Sequence, residues 1–209
     1  MITLVGGQKG GSGKSTIATN LAAALANQGK DVLLVDGNAA QGTSSNWAAR
    51  REDTELKSIS CIEKSGNLYK SLLDLKDRYD EVIVDTGGQD SKEFRTAMLA
   101  ADLLISPIRP SQADAETLVF VADLLEQARE MNPDLVAKIL ISNAPSHPAI
   151  KLVEETRELL SELEGFEIAN SVIFYRKIYM DAVPAGAGVV EMNNAKARIE
   201  VINLIEELY

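Results

Sequence analysis

At 209 residues, 45% hydrophobic and 25% charged, the chain suits one α/β domain, residues 1–209, with a substantial core. Its only cysteine, Cys61, excludes an internal disulfide, an Fe–S cluster and a thiolate zinc site, and its only histidine, His147, excludes a His-rich metal centre. A net charge of −10 speaks against a broadly basic surface, so any contact with nucleic acid needs a local patch, one completed by pairing of two chains.

Short apolar runs alternate with helical patterns almost to the end. Ile2 to Val5 reads as a buried strand, followed by the glycine-rich run Gly6 to Thr16 and a helix through Ile17, Leu21 and Leu25. Asp31 to Val35 is a second strand, ending at Asp36. Gly37 to Arg51 is a loop running into polar, helical sequence, with Trp47 a packing residue. A weaker strand, Leu56 to Ile62, precedes a helix through Leu68, Leu72 and Leu75. Glu81 to Val84 is a strand ending at Asp85-Thr86-Gly87-Gly88, and a helix around Phe94 to Ala101 leads into the strand Leu103 to Pro107.

Pro107, Pro110 and Ser111 mark a loop before one long helix, Asp114 to Met131, whose Leu118, Val121, Leu124 and Leu125 form an apolar face. Lys138 to Ser142 is a strand, His147 a loop residue, Pro148 to Leu163 a helix and Ile168 to Phe174 the last strand. Residues 175–190 read as a loop, and Asn193 to Leu208 as the closing helix. This alternation predicts a doubly wound, mostly parallel sheet with helices on both faces. The chain opens directly in a strand pattern, with no signal peptide and no apolar run long enough to span a bilayer, which fits the cytoplasm.

Strand, glycine loop, helix is the context of a phosphate-binding loop. Gly10, Gly11 and Gly13 let the backbone turn so that consecutive N–H groups meet phosphate oxygens, and the new helix adds its positive end. Gly10, Gly11, Ser12, Gly13, Lys14, Ser15 and Thr16 are therefore the candidate nucleotide-binding residues, with Lys14 for the β- and γ-phosphates and the Ser15 hydroxyl for Mg²⁺. Asp85 closes an apolar strand at the same end of the sheet, where a second Mg²⁺-holding group belongs. The Gly87-Gly88 pair lets backbone approach the γ-phosphate as a switch loop does. Asn143, at the end of its strand, stands where an adenine contact would sit, although it also suits a turn before Pro145.

The general pattern has a glycine where Gln8 stands, and Lys9 follows it. Lys-Gly-Gly-Ser-Gly-Lys-Ser-Thr, residues 9–16, resembles the deviant Walker A box of the ParA/MinD family of ATPases. The resemblance implies that Lys9 reaches across a dimer interface to the partner's nucleotide. Asp36 to Gly42 resembles the family's second acidic motif and implies a place for Asp36 near the metal. It departs from that motif twice: Asn38 stands where a second, water-positioning aspartate belongs, and Gln41 lies one residue late. Lys9, Lys14, Asp36 and Asn38 are thus the candidate catalytic residues, and Ser15, Asp36 and Asp85 the candidate metal site. Pro107 to Asp114 is similar to the family's loop facing the partner subunit, and Tyr175 to Val190 to the C-terminal segment of the small plasmid-partition ATPases related to ParF.

For the whole chain the resemblance implies an ATP-dependent homodimer with Mg²⁺, cytoplasmic and associated with the nucleoid. It would hold DNA without sequence preference and release it when a centromere-binding or cargo-adaptor protein stimulates hydrolysis. Arg176, Lys177, Lys196 and Arg198 are the DNA candidates, chosen for their place in the C-terminal quarter, where acidic residues outnumber them. Two other readings stand beside this one. A MinD-like membrane switch needs a basic amphipathic tail, whereas Ile202 to Leu208 has an acidic polar face that anionic lipid repels. A metabolic P-loop enzyme, such as a synthetase or amidotransferase relative, needs a Cys-His pair or further substrate domain that the sequence does not display.

Overall fold

The computed structural model describes residues 1–88, 90–146 and 149–209; the expected loop position of His147 and helix start at Pro148 lie outside them. Seven strands form one sheet: β1 (Ile2–Val5), β2 (Val32–Asp36), β3 (Ser60–Glu63), β4 (Glu81–Asp85), β5 (Leu103–Ile108), β6 (Val136–Ala144) and β7 (Glu167–Phe174). Their order is β3-β2-β4-β1-β5-β6-β7, and every pairing is parallel. Parallel strands need crossovers, and helices supply them: α1 (Lys14–Asn27), α2 (Thr43–Glu52), α3 (Tyr69–Lys76), α4 (Lys92–Met98), α5 (Gln112–Ala115), α6 (Thr117–Arg129) and α7 (Ala149–Leu160); α8 (Lys177–Ala182) and α9 (Ala195–Leu208) follow β7.

Both faces of the central strands are covered, which is why they read as unbroken apolar runs. Side chains alternate between two cores. Val5, Leu34, Ile83 and Ile105 pack with Leu21 and Leu25 of α1, Trp47 of α2, and Val201 and Leu204 of α9. Leu4, Leu33, Val35, Val82, Val84 and Leu104 pack on the other side with Leu72, Phe94, Leu124 and Leu125. The chain therefore leaves β1 toward one face, through α1, and leaves the adjacent β4 toward the other, through α4. Loops that diverge in this way open a crevice at the carboxyl ends of the strands.

Two expected elements differ. The helix expected over 114–131 is broken at Glu116 into α5 and α6. Ser111 caps α5 by accepting the N–H of Asp114, and the Thr117 hydroxyl donates to the Asp114 carbonyl at 2.6 Å, where the new helix starts. Residues 175–190, expected as loop, hold α8 and lead into a 3₁₀ turn, Val189–Glu191. In α8 only Tyr179 and Ala182 are buried, a single helical turn of signal that is too short to show as periodicity.

Candidate functional site

Three loops, after β1, β2 and β4, surround a cavity of about 610 Å³. The first contributes Gly10, Gly11, Gly13, Lys14, Ser15 and Thr16, the second Gly37, Asn38, Ala40 and Gln41, and the third Thr86, Gly87 and Gly88; Ser91 and Glu93 complete the wall. Gly13 adopts the left-handed conformation, φ 91°, and caps α1 with no side-chain bond. The α1 N-terminus, with no acidic residue in its first turn, thus directs free N–H groups at the cavity.

Lys14 is buried, and its ammonium donates to the Lys9 carbonyl of the same loop at 2.7 Å. Burial lowers its pKa, against the opposing pull of Asp85. Gly88 lies directly over this loop. A Cβ there would stand 2.9 Å from the Lys14 ammonium and 3.0 Å from the Gly10 backbone, so any side chain would push the two loops apart.

Asp36 and Asp85 face each other in register across β2 and β4. Both are buried, and the structure treats them differently. Each oxygen of Asp36 accepts a backbone N–H at 2.9 Å, one from Asn38 and one from Ser45, so this carboxylate shapes its own loop and the start of α2. Asp85 accepts the Ser44 hydroxyl at 2.6 Å on Oδ2, while its buried Oδ1 has no hydrogen-bond partner. Burial pushes the Asp85 pKa up to about 6; the Ser44 and Ser15 hydroxyls and Lys14 oppose the rise, and Asp36 adds to it.

An unpartnered buried carboxylate oxygen is costly, and a cation satisfies it. Among the described residues no three His, Cys, Asp or Glu side chains converge as a metal cage. One or two carboxylates beside a nucleotide-sized cavity match the way Mg²⁺ is held, with nucleotide phosphates and water completing the shell. The donor set therefore fits Mg²⁺ carried with a nucleotide, which Asp85 and Ser15 would hold.

The other sequence candidates fall into place around this centre. Asn38 spans two loops: its amide nitrogen donates to Gln41 Oε1 at 3.0 Å, and its side chain lies against Gly87. Lys9 lies outside the cavity lining and pairs with Asp114 at 3.6 Å. Asn143 adopts positive φ, 52°, and its amide nitrogen lies 3.4 Å from the Gly11 carbonyl; it braces the glycine loop from outside the cavity lining. The Ser12 carbonyl accepts from the neighbouring Ser142 hydroxyl, which fixes the loop to the end of β6.

The basic candidates differ in their partners. Arg176 is held by Glu200 at 2.6 Å, Lys177 pairs with Asp181, and Arg198 donates to the Met192 carbonyl; Lys196 and Arg198 are exposed. Trp47 is a packing residue, buried and donating to the Ala187 carbonyl. Sequence reasoning missed Ser44 and the pairing of Asp114. Ser44 had no signal beyond lying in the turn after Gln41, because a single serine at a helix start reads as a cap.

A parallel sheet whose central strand ends in a glycine loop and helix, with aspartates closing β4 beside it and β2 next in order, defines a P-loop nucleotide-binding protein. The chain belongs to the CobQ/CobB/MinD/ParA nucleotide binding domain family, which matches residues 3–188. It is 26% identical over 204 residues to Maintenance of carboxysome distribution protein A of Halothiobacillus neapolitanus, covering 94% of this chain and 90% of that protein. It is 28% identical over 200 residues to protein ParA of Rhizobium radiobacter, covering 95% and 89%. Among solved structures, the septum site-determining protein MinD of Pyrococcus horikoshii, complexed with Mg-ADP, shares the fold with a TM-score of 0.78 at 18% identity, over 99% of this chain and 95% of that one. Among the described residues no helix is long and apolar enough to cross a membrane.

Proposed function

We propose that the chain is an ATPase that positions or partitions an intracellular cargo, with Mg-ATP as the ligand that joins two copies. The observation that carries this reading is the glycine loop with two lysines in different settings: Lys14 buried and lining the cavity, and Lys9 outside the cavity lining, paired with Asp114. One lysine suffices for a phosphate cradle, so the second is available to a neighbouring chain's phosphates. The names of the relatives, carboxysome distribution and ParA, support positioning as the task.

In this account the N–H groups from Gly10 to Thr16 bind the β- and γ-phosphates, Lys14 turns from the Lys9 carbonyl onto them, and Ser15 and Asp85 hold the metal. Mg²⁺ supplies charge neutralisation at the phosphates when bound. Asn38 orients the attacking water through its amide oxygen, and lacks a carboxylate to take the proton. Basal hydrolysis is therefore slow, and release depends on a partner, a centromere-binding or cargo-adaptor protein. DNA binding in the ATP state would draw on Lys196 and Arg198, the candidates without an acidic partner among the described ion pairs. Such binding weakens with salt as counterions are released.

The test is calorimetric titration of ATP with and without Mg²⁺, followed by a filter assay with duplex DNA of unrelated sequences at low salt. Mg²⁺-dependent ATP binding, with DNA retained in ATP and lost in ADP, is the expected result. ATP binding without DNA retention would remove the nucleoid part of the proposal and leave the nucleotide part.

A further inference from the structure

We propose that Ser44 is the positioning residue of Asp85: its hydroxyl occupies Oδ2, so that Oδ1 alone is aimed at the metal shell. The inference rests on the Mg-nucleotide reading above and assigns a residue to it from the second turn of the site, where no phosphate-loop or acidic-motif pattern points.

Asp36 and Asp85 stand side by side at the ends of adjacent strands, both buried. Two like charges so placed repel, and a carboxylate with no bond to its oxygens rotates between two equivalent settings. The start of α2 resolves both problems. Gly42 caps the helix, the Ser45 N–H and the Asn38 N–H close on Asp36, and Ser44, fully buried, turns its hydroxyl onto Asp85 at 2.6 Å. That length is typical of a hydroxyl bonded to an ionised carboxylate, the stronger class of hydrogen bond. Oδ1 then remains without a partner in hydrogen-bond geometry, with the Ser15 hydroxyl the nearby group that lowers the Asp85 pKa from that side of the site.

The same helix start thus fixes the conformation of the acidic-motif loop, through Asp36, and the direction of the metal-facing oxygen, through Ser44. A change at Asn38 or Gln41 that shifts α2 would carry Ser44 with it and turn Asp85. Ser45 gives a built-in contrast. Its hydroxyl bonds the Gly42 carbonyl at 3.1 Å, a purely local contact within the same turn.

The experiment measures Mg²⁺ affinity without turnover. A fluorescent ADP analogue is titrated against the wild type, Ser44→Ala, Ser44→Thr and Ser45→Ala over micromolar to millimolar Mg²⁺, with thermal melts to verify folding. The expected result is a loss of about tenfold in Mg²⁺ affinity for Ser44→Ala, the scale on which partners of metal ligands act, with Ser45→Ala within about twofold of wild type. Ser44→Thr, which keeps the hydroxyl, should recover most of the loss. A folded Ser44→Ala protein with wild-type Mg²⁺ dependence would overturn the role of Ser44 alone. An equal loss in Ser45→Ala would also overturn it, by making the effect one of helix start. Nucleotide binding indifferent to Mg²⁺ in the wild type would overturn the inference together with the reading beneath it.

Discussion

The Lys9 ammonium rests 3.6 Å from Asp114 of its own chain, on a carboxylate that also receives Arg109 and the Ser111 hydroxyl. Burial alone would raise the Asp114 pKa, but the Arg109 side chain and N–H hold it below the usual range, so the anion persists. If Lys9 serves the partner's nucleotide, each chain must first give up this pair. Lys9 is about a third exposed, so the pair is worth only about 0.5 kcal/mol. Asp114→Asn should accordingly tighten the ATP-dependent dimer, by about fivefold when both chains carry the change. Sedimentation equilibrium with a slowly hydrolysed ATP analogue measures this. A dimer weakened by the substitution would show that Asp114 supports the interface instead.

Lys14→Ala removes the charge facing the phosphates while leaving α1 in a good helix former. ATP binding should fall by at least about a hundredfold, which corresponds to the loss of about 3 kcal/mol for a charge-assisted bond. The melting temperature without nucleotide should stay close to wild type. Calorimetry showing unchanged ATP affinity would remove Lys14 from the site.

Asn38 offers the sharpest kinetic comparison. In single-turnover hydrolysis of saturating Mg-ATP, Asn38→Asp should be fastest, because a carboxylate can both orient water and accept its proton, and Asn38→Ala slowest. The Ala variant also loses the bond to Gln41 and the contact with Gly87, so loop position and water orientation fail together. Wild-type turnover in Asn38→Ala would mean that this side chain does not touch the water.

Away from the cavity, Glu191 gathers α1, α2 and the 3₁₀ turn. It accepts both Arg51 terminal nitrogens, at 2.8 and 2.6 Å, together with Asn27 and the Gly188 N–H. Burial would raise its pKa, but the Arg51 bonds prevail and hold it below the normal 4.5. Glu191→Gln leaves Arg51 buried without its anion and should cost about 3 kcal/mol near neutral pH. The melting temperature should drop by about 6–12 °C for a chain of this size. Because the folded pKa is the depressed one, the wild-type advantage is complete above the unfolded value and vanishes as pH falls through the folded value. Melts of the two proteins should therefore converge in acid. A gap that stayed constant to the lowest pH at which wild type folds would contradict this charge pairing.

The sequence made the sheet and the phosphate loop legible for the same reason: a strand buried on both faces is an apolar run, and the glycines sit where backbone must approach a ligand. Asp85 was readable from its place at a strand end. Asp36 was expected near the metal by resemblance, and the fold adds that each of its oxygens accepts an N–H of the following turn. Residue spacing says where a carboxylate lies and nothing of which way it turns. Ser44 and the Lys9–Asp114 pair were invisible because each depends on side chains distant in sequence meeting in the fold. The break at Glu116 escaped because Asp114 and Thr117 are ordinary in a helix until the side chain of one bonds the backbone of the other. Arg176 shows the same limit: a basic residue in a suggestive region, which the fold pairs with Glu200.

The central claim, that Mg-ATP joins two copies through the glycine loop, is tested most directly by the sedimentation mass in Mg-ATP analogue, in Mg-ADP and without nucleotide, for wild type and Lys9→Ala. The account predicts twice the monomer mass for wild type with the ATP analogue alone. It predicts monomer in every condition for Lys9→Ala, with nucleotide still bound by calorimetry. A Lys9→Ala protein that dimerises with wild-type affinity, or a wild type that binds the analogue and remains monomeric at concentrations of tens of micromolar and above, would contradict it.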